Sequence, residues 1–474
     1  MKGEKDIKKI KLRKINLSRC YRFFIFSMMI SIDSTIDISD GIFSSASKEI
    51  KKKLNINNTK FGSFSTATSV GKIMGSFLFI LINQNISRKW LLTICIFLNS
   101  IFLFNFKITQ NVNILIIFYG LLGITKTIPT IYIPVWINQF GHKKYKTIQI
   151  TSVQLFQSIG KIIGYIINLI LGHENWQNGF LISGSCLMFL SICCFISNEN
   201  YFSKTLFPKK LENNFENNKK LENRISSTIF EEHEIQKKID DKKNQKINFL
   251  SEFSLLFQNK TYIISLICGS IIRGLITCLN YWFPDFLRDI INKKKEELTI
   301  CYSIIILAGP VGGIITNGYL IQYIGSYENK KSSWPIVFLQ LIASIFAVNI
   351  GLMKSLFSVC TITICYLIFN SSILAFIQGI IISSVDKNLS ATGFAYANVF
   401  KQIIIGPTPI IYGIINDKVK DKYQWLPMCC IMSINFLAMP FLIWLAILRN
   451  KKIDEEEKIK ENKNDEELIE KENA

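Results

Sequence analysis

Apolar runs of bilayer-crossing length alternate with short polar breaks along most of the chain. A spanning helix needs about 20 predominantly apolar residues. Runs that meet this length fall at 21–45, 62–83, 90–107, 112–135, 149–171, 178–198, 261–287, 299–322, 334–353, 355–384, 391–416 and 425–448. The pattern predicts an all-α membrane protein of about twelve transmembrane helices. One long polar stretch, 199–258, splits them six and six. From Pro208 it reads PKKLENNFENNKKLENR; the stretch is rich in Lys, Asn and Glu and lacks the apolar surface to bury a core. The expected organisation is a cytoplasmic tail at 1–20, a six-helix bundle at 21–198, a largely disordered linker at 199–258, a second bundle at 259–448 and a tail at 449–474.

Charge refines the orientation. The 474 residues hold 55 Lys and Arg against 35 Asp and Glu, and 49% are hydrophobic. The bases gather in the N-terminal tail, at Ser87-Arg88-Lys89, at 141–146 and in the linker. Cytoplasmic loops of membrane proteins collect such bases. Both termini are therefore expected in the cytoplasm, in a plasma or endolysosomal-type membrane. The segment KEIKKKLNINNTK at 48–60 breaks the rule, since it would be an outer loop and is basic. It also holds an Asn57-Asn58-Thr59 glycosylation sequon. No basic soluble face interleaved with aromatics points to nucleic acid. The expected partners are a small-molecule or lysolipid substrate, the bilayer and protons, bound by a monomer.

Charges inside the apolar runs carry the candidate chemistry. The first run reads SIDSTIDISD, with Asp33, Asp37 and Asp40 on one helical face at i, i+4 and i+7. An acid at the bilayer centre costs roughly 2.5–3.5 kcal/mol, and such groups face a bundle interior or a wet cavity. Lys72, Lys126, Lys161, Arg273 and Lys401 each interrupt an apolar segment. Lys126 and Lys72 lie where a long stem can snorkel to the interface, whereas apolar residues run on both sides of Lys161 and Arg273. Gln154, Gln157 and Lys161 form a polar stripe on the fifth run. The candidate substrate-binding set is Asp33, Asp37, Lys126, Gln157, Lys161, Arg273, Trp282 and Lys401, with Asp37 and Asp33 as proton-coupling candidates.

An enzyme finds little support. His142, His173 and His233 are scattered, and GxSxG and HExxH are absent. Most of the 12 cysteines lie inside apolar runs and read as small buried hydrophobes. No metal or cofactor is expected. Gly71 and Gly75, Gly160 and Gly164, and the group Gly309, Pro310, Gly312 and Gly313 mark close helix contacts in the second, fifth and eighth runs.

Residues 391–417, ATGFAYANVFKQIIIGPTPIIYGIIND, resemble the eleventh helix of spinster-like major facilitator transporters, through Gly406, Pro407, Pro409, Gly413 and Asp417. NYWFPDFLRD at 280–289 is similar to the aromatic-Pro end of that family's helix seven, and SRKWLL at 87–92 to its loop after helix two. Three positions depart from the pattern. Gln84 and Asn85 replace an acid and a base, Gln322 replaces an acid, and Lys126 stands where the family carries Glu. The resemblance implies two related six-helix halves, alternating access around a midplane site, and lysophospholipid or sphingosine-phosphate cargo moved with protons. It also implies that Phe64, Tyr132, Trp136, Tyr165, Tyr281 and Trp282 are available to line an amphipathic cavity. The expected function is secondary active transport of a lysolipid-like solute. The alternatives are transport of a small organic phosphate or carboxylate, and a transport-dead receptor.

Overall fold

The computed structural model describes residues 19–82, 86–141, 146–202, 254, 256–291, 295–324, 333–385, 390–419, 423–451, 453 and 455. Among them the fold is helical throughout. The first helix, α1 (Arg19–Ser45), has 27 residues and extends about 40 Å. A short helix α2 (Ser47–Leu54) follows, then α3 (Asn58–Ile82), α4 (Arg88–Ile108), α5 (Val112–Phe140), α6 (Lys146–Leu171) and α7 (Trp176–Ile196). After the linker come α8 (Lys260–Ile291), α9 (Lys295–Ile324), α10 (Ser333–Leu352) and α11 (Leu356–Ser383). The eleventh span is broken at Gly406 into α12 (Ser390–Ile405) and α13 (Pro407–Val419). The last begins as α14 (Leu426–Ser433) and continues to Lys451. Among the described residues, eleven spans are long and apolar enough to cross a membrane. The twelfth is α1, whose three acids set it apart.

The packing repeats between the halves. Before the linker α1 pairs with α6, α3 with α5, and α4 with α7. After it α8 pairs with α12, α9 with α11, and α10 with α14. In span order, one with five, two with four and three with six becomes seven with eleven, eight with ten and nine with twelve. The halves meet where α3 lies against α12 and α13, and where α6 lies against α9.

The small residues fall where backbones nearly touch. A Cβ on Gly160 would strike the Ser34 carbonyl, and one on Gly164 the Ile38 carbonyl, so α6 can approach α1 only with glycine at both places. Gly71 on α3 meets the Gly120 carbonyl of α5 in the same way. Gly309 and Gly312 accommodate Leu367 and Ile368 of α11.

Two sequence expectations change here. The basic segment at 48–60 is not loop throughout. Its first part is α2, ended by Asn55 in the left-handed conformation at φ 50°, a position that favours Gly or Asn. Two of its lysines meet acids of the second half: Lys48 lies 2.6 Å from Asp289 and Lys51 2.8 Å from Asp285. The linker also starts later than 199. Glu199–Tyr201 forms a 3-10 turn, and the Tyr201 and Phe202 carbonyls accept hydrogen bonds from Trp136 Nε1 at 2.8 Å and Tyr132 OH at 2.5 Å. Residues 203–253, the N-terminal tail to residue 18 and the C-terminal tail from 456 lie outside the described residues, as do Gln84, Asn85 and the side chain of Gln322.

Candidate functional site

A cavity of about 220 Å³ lies between the halves. α1 brings Asp33, Asp37 and Asp40 to it, α3 Lys72, α5 Lys126, and α6 Gln154, Gln157 and Lys161. From the second half, α8 contributes Arg273, Asn280 and Tyr281, α9 contributes Tyr302, and α12 contributes Asn398, Lys401 and Gln402. The helical spacing of the three acids thus carries through: one face of α1 is a wall of the chamber.

Two contacts fix the acids. Gln157 Nε2 donates to Asp33 Oδ2 at 2.8 Å, and Asp33 is only 4% exposed. The Lys126 ammonium lies 2.6 Å from Asp40 Oδ1 and donates to Ser39 Oγ at 3.1 Å. Lys126 is 3% exposed, so the snorkelling reading does not hold for it: the ammonium turns inward to an acid. Among the described residues, Asp37, Lys72, Lys161, Arg273 and Lys401 have no ion-pair partner within 4.0 Å. The wall therefore carries five cations against three acids.

A second cavity of about 170 Å³ adjoins the first, sharing Asp33, Gln154, Gln157, Arg273, Asn398 and Lys401. Its remaining wall is mostly apolar, with Ile131, Ile133 and Ile137 of α5, Leu266 of α8, Ile377 and Ile381 of α11 and Phe394 of α12. Charged and greasy spaces thus meet at one boundary. There Gln154 Nε2 donates to Gln378 Oε1 of the other half at 2.7 Å.

Toward α2 the chamber is shut in two tiers. Rings of Phe43, Phe61, Phe64, Tyr119, Tyr281, Trp282 and Tyr412 pack with neighbouring centroids 4.6–6.1 Å apart. Tyr281 OH donates to the Phe61 carbonyl at 2.6 Å, tying the halves together, and Trp282 Nε1 donates to the Pro409 carbonyl at 2.9 Å within the second half. Beyond the rings, Asp285 accepts from Ser47 Oγ and from Lys51, and Arg288 Nη2 donates to the Ser45 carbonyl at 2.6 Å. Asp417 accepts four hydrogen bonds from the start of α3, two from backbone N–H groups of Asn58 and Thr59 and two from their side chains.

Seven of the eight expected binding residues line the charged chamber. Trp282 does not; it is fully buried in the aromatic tier. Tyr165 and Tyr281 reach the chamber, whereas Phe64 belongs to the ring tier, and Tyr132 and Trp136 hold the 201–202 carbonyls. Asp40, Lys72, Asn398 and Gln402 complete the wall and were outside the expected set. The spacing of Asp40 from Asp33 and the Asn398–Gln402 pair around Lys401 were the available signals.

The family model for the Major Facilitator Superfamily matches residues 23–409. Among curated proteins none matches the chain. Solved structures share the fold at low identity. A bacterial homologue of the human lysosomal transporter Spinster, inward-facing and unoccupied, is 12% identical, with 92% of this chain and 98% of that one covered and a TM-score of 0.63. The proton:xylose symporter XylE is 11% identical, with 90% and 96% covered and a TM-score of 0.68. The nucleoside transporter NupG is 14% identical, with 90% and 98% covered and a TM-score of 0.56. Repeated helix pairing, a cavity between the halves and a family model over most of the chain agree, and the chain belongs to the Major Facilitator Superfamily.

Proposed function

We propose that the protein is a secondary transporter of an anionic organic solute, working by alternating access between its halves. The observation that carries this reading is the chamber wall: four cations, Lys72, Lys161, Arg273 and Lys401, have no ion-pair partner within 4.0 Å and face one space. Buried cations are ordinarily paired, and an anionic headgroup is the partner this space fits. The adjoining apolar cavity favours an amphipathic, lysolipid-like cargo, with its head among the cations and its chain along α5 and α11. Asp33 and Asp37 are where a coupling proton would reside. With α2 outside, the two closed tiers make this the inward-facing arrangement.

A second reading, a small organic phosphate or carboxylate, rests on the charged chamber alone. The test is uptake into proteoliposomes of labelled lysophosphatidylcholine, lysophosphatidic acid and glycerol 3-phosphate, with and without a pH gradient. Wild type is compared with Arg273→Gln and Asp37→Asn. Uptake of the lysolipids that falls with Arg273→Gln supports the first reading. Uptake of glycerol 3-phosphate alone moves the assignment to the second. No uptake of any probe, into empty vesicles or into vesicles preloaded with the same unlabelled probe, would sink transport of either class. Uptake unchanged in Asp37→Asn under the gradient removes the acid from coupling.

A further inference from the structure

Once the Lys126–Asp40 pair is set aside, Asp33 and Asp37 face Lys72, Lys161, Arg273 and Lys401 across the chamber. The ionised wall holds two more cations than acids. While the chamber communicates with water, its hydration and counter-ions balance that surplus. Alternating access requires a stage in which both ends are shut. In the empty carrier that stage strips water from two cations more than the facing acids balance, a desolvation cost that a partner charge offsets; a lysine can instead shed a proton, but the Arg273 guanidinium cannot. A bound anion supplies the missing charge before the chamber closes.

The structure assigns a mode of transport on this basis: we infer that the protein is an anion exchanger, in which the loaded carrier changes sides readily and the empty carrier does so slowly. The inference rests on the anionic-solute reading above and goes beyond it, because that reading is equally compatible with net uptake. Protonating Asp33 or Asp37 does not relieve the empty carrier, since removing a negative charge widens the surplus. The acids on the α2 side are engaged away from the chamber: Asp285, Asp289 and Glu49 are paired with Lys51, Lys48 and Arg288 respectively, and Asp417 is held by the N–H groups and side chains of Asn58 and Thr59.

The test is counterflow. Proteoliposomes are loaded with labelled glycerol 3-phosphate, or in a second set with labelled lysophosphatidic acid, and efflux is timed with and without the same unlabelled anion outside. External anion is expected to speed efflux at least about tenfold, the factor that 1.4 kcal/mol of differential barrier produces. Lys401→Gln and Lys72→Gln, each removing one cation, are expected to narrow that ratio, and Asp37→Asn to widen it. Using three single variants guards against one that fails to fold. Equal efflux with and without external anion in wild type overturns the exchange mode while leaving transport standing. A ratio that Lys401→Gln, Lys72→Gln and Asp37→Asn all leave unchanged overturns the charge argument. Absence of efflux with either probe, together with no binding of either by intrinsic tryptophan fluorescence, overturns the anionic-solute reading beneath it.

Discussion

The Lys51 ammonium lies 2.8 Å from Asp285 Oδ2, joining residues 234 positions apart and on opposite sides of the linker. Lys51 also donates to Asn58 Oδ1 at 2.7 Å and stands 5.7 Å and 5.6 Å over the rings of Phe61 and Trp282. One cation therefore links α2, the start of α3, the ring tier and α8. Asp285 is 2% exposed, so removing it leaves a largely buried ammonium uncompensated. Such a loss costs roughly 3–5 kcal/mol. Asp285→Ala is expected to loosen this side, read as faster amide hydrogen exchange through 47–60 and the end of α8. Adding Lys51→Met should restore much of the protection. Protection in Asp285→Ala equal to wild type would show that the rings alone keep the tier shut.

Asp417 tests the neighbouring contact. Its carboxylate takes N–H groups at the N-terminus of α3 at 3.2 Å and 2.8 Å, and the Thr59 hydroxyl at 2.6 Å. Both the hydrogen bonds and the positive end of the helix dipole favour a negative charge there. Asp417→Ala is expected to cost about 1–2 kcal/mol, measured as lowered thermal stability in detergent. Asp417→Asn keeps an acceptor without the charge and should fall between. If asparagine costs as much as alanine, the charge rather than the hydrogen bonds carries the contact.

How far the sequence alone reaches is visible in α1. Apolar run lengths locate all twelve spans, because the bilayer fixes how long an apolar helix must be. The i, i+4, i+7 spacing of Asp33, Asp37 and Asp40 likewise puts them on one wall, because helical periodicity is local. What pairs with them is not local. Lys126 reaches Asp40 across 86 positions, and nothing in GITKTIP separates that partner from an interfacial snorkel. Trp282 fails for the same reason: an aromatic beside a proline reads alike whether it lines a cavity or plugs it. Likewise a rule that counts bases along the chain takes Lys48 and Lys51 as free charges, without seeing Asp289 and Asp285 folded against them.

The Lys126–Asp40 pair supports a coupled prediction. Lys126 has two oxygens within reach, Asp40 at 2.6 Å and Ser39 at 3.1 Å. Replacing Asp40 strands a Lys126 ammonium that is 3% exposed, whereas replacing Lys126 leaves a carboxylate 32% exposed, so the first loss is the larger. Asp40→Asn and Lys126→Gln are each expected to lower thermal stability, and the double variant to recover at least half of the summed loss. The difference from additivity is the pair's interaction energy. Additive losses would mean the two charges respond to the rest of the chamber rather than to each other.

The contact between α3 and α5 allows a sharper comparison, since two glycines face each other there with different demands. A Cβ on Gly71 would collide with the Gly120 carbonyl, a backbone atom that cannot swing away. A Cβ on Gly120 meets only the Ala67 carbonyl at 3.5 Å, an ordinary contact. Alanine is also the better helix former by up to about 1 kcal/mol. Gly71→Ala is therefore expected to push the helices apart and lower stability, whereas Gly120→Ala should be neutral or mildly stabilising. Thermal unfolding of the purified protein in detergent reads both. Because Lys72 follows Gly71 directly, the displaced α3 should also carry that cation away from the chamber, so Gly71→Ala should weaken anion uptake while Gly120→Ala leaves it intact. Equal tolerance of both alanines would show that α3 and α5 can separate without cost, and that the glycines do not set the width of the chamber.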